Sequence, residues 1–149
     1  MRTLQSTSDE RVLVDSHSVG ASIKNLSAVI VEEWINRVKK TIEESNHQSK
    51  MVLIDHMPEI LNDLSKFLNQ GSFKADELGK AHGFQRAIST AFSLEDLLKE
   101  YSLLRETLID YLYPIGNREI AKRTHRYLDI LSQNAIMEFL KMNHFFNRI

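Results

Sequence analysis

The chain has 149 residues, enough for one domain with its own core, and its 42% hydrophobic and 26% charged residues are ordinary for a globular protein. With 19 Lys and Arg against 20 Asp and Glu, there is no overall field to gather nucleic acid or acidic lipid. The absence of cysteine excludes disulfides and thiolate chemistry and fits a reducing compartment, so a cytoplasmic location is expected.

The first residues, "MRTLQSTSDERVLV", lack the apolar segment of a signal peptide. No apolar run in the chain reaches the roughly 18 residues of a membrane span. Residues 1–17 are polar and without clear period and are expected to form a flexible N-terminal tail or a short helix ahead of a helical domain over 18–149. From Val19 the pattern turns helical. Val19, Ile23, Leu26, Ile30, Trp34, Val38 and Ile42 recur every three or four residues, which predicts one buried stripe. "ESNHQSK" breaks the period. A second helix is predicted over about 51–69, with Pro58 in its first turn or at a kink and Gly71 just past its end.

A third helix is predicted over 75–90. A fourth begins at Ser93, where "SLED" fits the S-x-x-[DE] capping pattern, and "YPIGN" stops it. Asn117 caps a last, long helix running to the end of the chain. With only 5 Gly and 2 Pro, and no strand-like alternation, the fold class is all-α: an antiparallel bundle of four to five helices.

Helices three and four are joined by two or three residues around Phe92, so they are expected to fold back as a hairpin. In that register Leu78 faces Leu108, Ile88 faces Leu98, Arg86 faces Glu100, His82 faces Arg105 and Gly83 faces Leu104. Gly83 would then admit the fourth helix closely, while Tyr101 and Arg105 approach the same polar region. A buried charge there needs a partner. The residues either pair among themselves and fix register, or leave spare donors for an anionic ligand.

These residues carry a resemblance. "HGFQRA…SLEDLLKEYSLLRETLI" resembles the N-terminal sensory domain of the RsbR-type co-antagonists of the bacterial general stress response, which also stands at the head of some sensor histidine kinases. The matching positions are His82, Gly83, Arg86, Glu100, Tyr101, Leu104 and Arg105. The resemblance is specific over about 78–112, weaker over "VIVEEWINRVKK" and the last helix, and absent before Val19. It implies a non-catalytic input module in stress-response or two-component signal transduction, with an output domain normally following. No phosphoacceptor box, ATP-binding lid or phosphorylatable antagonist domain is present in this sequence.

Other chemistries find less support. A dimetal carboxylate bundle needs two Glu-x-x-His motifs. The chain offers Glu44 with His47, and the residues three before His56, His82, His125 and His144 are Leu53, Gly79, Lys122 and Lys141. A haem site needs an axial histidine in an apolar pocket, and His82 sits among charges; a self-contained ligand- or haem-binding bundle is the alternative to the sensory reading. No nucleophile elbow, P-loop or dinucleotide fingerprint appears. No catalysis, metal or cofactor is therefore expected. Arg118, Lys122, Arg123 and Arg126 open the last helix, against its dipole. They are expected to form a solvated face. The last turns hold Phe139, Met142, Phe145 and Phe146, which predict a self-association surface and a homodimer.

Overall fold

The computed structural model describes residues 8–42, 56–71, 73–88 and 92–147, with side chains described from Val19 to Phe145 within those stretches. Five helices form a bundle, and among the described residues there is no strand. They are α1 (Ser8–Thr41), α2 (Met57–Gln70), α3 (Ala75–Ile88), α4 (Leu94–Leu112) and α5 (Arg118–Asn147). None is long and apolar enough to cross a membrane.

Local signals set most boundaries. Pro58 stands in the first turn of α2, where its missing N–H costs nothing. Gly71 closes that helix at φ 81°, and its N–H bonds the Phe67 carbonyl. Ser93 and Asp96 form a reciprocal capping box at the start of α4, each accepting the other's backbone N–H at 3.1 Å. Asn117 Oδ1 accepts from the Ile120 N–H at 3.0 Å and so caps α5.

The α1 stripe buries Val19, Ile23, Ile30, Trp34, Val38 and Ile42. It meets Ile60, Leu61 and Leu64 of α2, Leu97, Leu104 and Leu108 of α4, and Tyr127, Leu131 and Phe139 of α5 in one core. Two polar devices pin α2. Asp63 accepts from Tyr127 Oη at 2.7 Å and from the Lys74 N–H at 2.8 Å, tying α2 to α5 and to the start of α3. Arg123 donates to the carbonyls of Phe67 and Leu68 at the end of α2 and lies over the Phe67 ring.

Three expectations gain detail. Of residues 1–17, expected as a flexible tail or a short helix, those from Ser8 onward are helical and continue into α1. That stretch contains neither Gly nor Pro, and Asp9 and Glu10 are residue types suited to the first turn of a helix. Next, α3 packs most extensively on α5, with its hairpin neighbour α4 in lesser contact. Gly79 lies against Leu131 and Gly83 against Ala135, so the two helices run in the same direction. Finally, Ile88 and Leu98, expected as a facing apolar pair, are each about half exposed. The segment over 43–55, including Glu44 and His47, lies outside the described residues.

Candidate functional site: a buried polar seam between α3 and α4

The expected Arg86–Glu100 pair is present and fully buried. Arg86 Nε donates to Glu100 Oε1 at 2.9 Å and a terminal nitrogen donates to Oε2 at 3.1 Å. Both side chains are 1% exposed. This fork-to-fork geometry is the strong form of the interaction, and a charge buried this deeply needs it. Arg86 also donates to Gln85 Oε1, and its guanidinium stands 4.9 Å from the Phe92 ring centre. Trp34 Nε1 donates to the Glu100 backbone carbonyl at 3.1 Å, which brings α1 into the seam.

His82, one turn before Arg86, points Nε2 at Glu100 Oε1 from 3.7 Å. Its ring meets His56 and Tyr101 edge-on, at 5.9 and 5.5 Å between centres. Burial pushes the His82 pKa down, outweighing the nearby Glu100 carboxylate, so the ring is neutral near pH 7. Burial alone would raise Glu100, but His82 and the Arg86 charge together bring it below the usual carboxylate value. Tyr101 is held well above its ordinary value by burial, with the Glu100 charge adding to it, and stays protonated.

Two atoms of this seam are orphaned. His82 Nδ1 and Tyr101 Oη are buried and have no hydrogen-bond partner among the described residues. A buried unsatisfied group of this kind costs about 1–3 kcal/mol. The packing is therefore well paired at Arg86 and Glu100 and under-satisfied one ring away.

Two expected members lie elsewhere. Arg105 faces α5, donating to His125 Nδ1 and to Asp129 Oδ1, both at 2.6 Å. The expected His82–Arg105 pairing is thus replaced by a half-exposed link between α4 and α5. Gly83 does stand at a close helix approach, but the neighbour is the Ala135 carbonyl on α5 and not Leu104. A Cβ at Gly83 would overlap that carbonyl, and one at Gly79 would overlap the Leu131 carbonyl. Trp34, His56 and Phe92 join the seam without having been predicted. Trp34 and His56 meet partners distant in sequence, and no local spacing signals any of the three.

On α5, Phe139 is 1% exposed and belongs to the core, which corrects its assignment to an interface. Met142 is half-buried and Phe145 exposed, while the Phe146 side chain lies outside the described residues. Met137 and Leu140 are exposed on the same helix. Among the described residues no three His, Asp or Glu side chains are grouped so as to hold a metal ion. The His82 ring stands beside the rings of His56 and Tyr101 and the Glu100 carboxylate.

Comparison with protein-family models, with curated proteins and with solved structures finds no match to this chain. The functional reading therefore rests on the seam itself and on the sequence resemblance around it.

Proposed function

We propose that this helical bundle is a non-catalytic input domain of a bacterial signalling protein, similar to the RsbR-type sensory domain found in stress-response regulators and at the head of some sensor histidine kinases. It acts in the cytoplasm as a homodimer, and passes a change in helix packing to an output domain. The observation that carries this reading is the pair of orphaned atoms, His82 Nδ1 and Tyr101 Oη, beside a fully paired Arg86–Glu100. A second packing, or a small polar ligand, that satisfied those atoms would be favoured by the penalty they now carry. Transmission has a route. The helix that carries His82 and Arg86 also carries Gly79 and Gly83, whose backbone rests on the Leu131 and Ala135 carbonyls of α5. A shift of α3 is felt directly along the helix that ends in Met142 and Phe145.

The test is amide NMR on the whole chain. Tyr101→Phe removes one orphan and should bias the bundle toward the present packing, and Glu100→Gln should bias it away. Amides over 137–145 should then move in opposite directions along one line in the two variants. If they stay fixed while the resonances of the seam shift, the coupling to α5 does not exist and the sensory reading fails.

A further inference from the structure

We propose that the cleft between the end of α4 and the start of α5 binds a small amphipathic anion, an apolar chain or ring carrying a carboxylate. The site is remote from the polar seam, and the proposal does not rest on the sensory reading. The cleft encloses about 510 Å³, within the few hundred to about 1,000 Å³ of cavities that hold small ligands. Ile109 and Leu112 from α4 and Ile120 and Ala121 from α5 give it apolar walls, and Tyr113, 83% exposed, stands at its rim.

The turn between the helices keeps it open. Ile115 and Gly116 both donate to the Leu112 carbonyl, which folds the chain tightly at the base of the cleft. At Gly116 a Cβ would stand only 3.1 Å from the Ile120 side chain, so the absence of a side chain preserves the space.

The charge at the mouth selects the ligand. Arg118 lines the cleft, and with Lys122 it continues into an adjoining groove that also includes Glu119 and His125. Two cations in the first turns of a 30-residue helix stand against its dipole. Among the described residues neither has a carboxylate within ion-pair distance, whereas Arg37 has three and Arg105 has one. Arg123, from the same basic cluster, is committed to the end of α2. An anionic head at the mouth would relieve both the unpaired cations and the dipole, and an apolar body would cover the walls. Neither feature alone asks for an amphipath; their juxtaposition does.

The experiment titrates octanoate, 1-octanol and inorganic phosphate into the full chain and follows backbone amides by NMR. Octanoate should give saturable shifts centred on Ile109, Leu112 and Ala121. Arg118→Gln should weaken octanoate by about tenfold, the scale of one charge-assisted contact, and leave octanol binding unchanged. Ala121→Leu, which fills the cleft, should abolish both, with dispersed spectra showing that the variant is folded. The proposal is overturned if octanoate gives no saturable shift, if its shifts centre elsewhere, or if Arg118→Gln binds it as well as wild type. Phosphate shifting the same amides as strongly would make this a simple anion site and would equally overturn it.

Discussion

Arg86 and Glu100 are each 1% exposed, so removing one leaves the other's charge buried without its ion-pair partner. Glu100→Gln should cost about 3–5 kcal/mol in urea unfolding at neutral pH. Arg86→Met should cost less, because the stranded Glu100 can take up a proton. The double change of Arg86→Met with Glu100→Met should recover much of the loss, since an apolar pair of similar volume carries no desolvation penalty. Additive single effects would show that the pair does not interact as the geometry implies. Acid should act on the same residues. The folded-state pKa of His82 lies below 6.5 and that of Glu100 below 4.5. In each case the unfolded chain takes up the proton first, so both groups lose stability as pH falls. Loss should begin below about pH 6.5, from His82, and deepen below about pH 4.5, from Glu100. His82→Phe should flatten the upper part of that profile, and a profile unchanged by the substitution would assign the loss to other groups.

At the scale of the element, α3 shows why a glycine inside a helix is ambiguous. Helix propensity alone gives Gly83→Ala a gain of about 1 kcal/mol. Packing gives the opposite sign. The new methyl would overlap the Ala135 backbone carbonyl, which cannot rotate aside as a side-chain tip could. Either α3 retreats from α5 or α5 bends, at about 1–3 kcal/mol. The net effect expected on thermal unfolding is destabilisation, and a raised melting temperature would mean that the α3–α5 contact is looser than described. The same contact explains why the hairpin register was only half right. A tight connection makes α3 and α4 reverse direction, but it does not decide which neighbour comes closest. The two glycines, one turn apart, present a flat strip, and α5 is the helix that lies on it.

For the whole molecule, α5 is one of the two long helices, with α1 at 34 residues the longer. The 30 residues of α5 span about 45 Å at 1.5 Å per residue. Met137, Leu140 and Phe145 are exposed along it. If a second copy covers this end, Leu140→Asp together with Phe145→Asp should raise the dimer dissociation constant at least tenfold in sedimentation equilibrium, about 1.4 kcal/mol. A wild-type chain that stays monomeric at high concentration would end the dimer proposal. Phe139 behaves differently because it is core. Phe139→Ala should cost about 3–5 kcal/mol of folding stability, with association changed only through unfolding.

Apolar residues every three or four positions, a capping box at Ser93, Pro58 in a first turn and Gly71 past a last one were enough to specify a helical bundle, because each is a rule about neighbours within one helix. Arg86 with Glu100 was legible for a related reason: a short link fixes the approximate level at which two successive helices meet. What tertiary structure alone decided involves residues far apart in the chain. Arg105 turned to Asp129 and His125, Gly83 met Ala135, Trp34 reached the Glu100 carbonyl, and Phe139 went inside. A helix has neighbours on several sides, and its periodicity says which face is buried without saying which helix buries it. That choice belongs to the packing of all five helices at once.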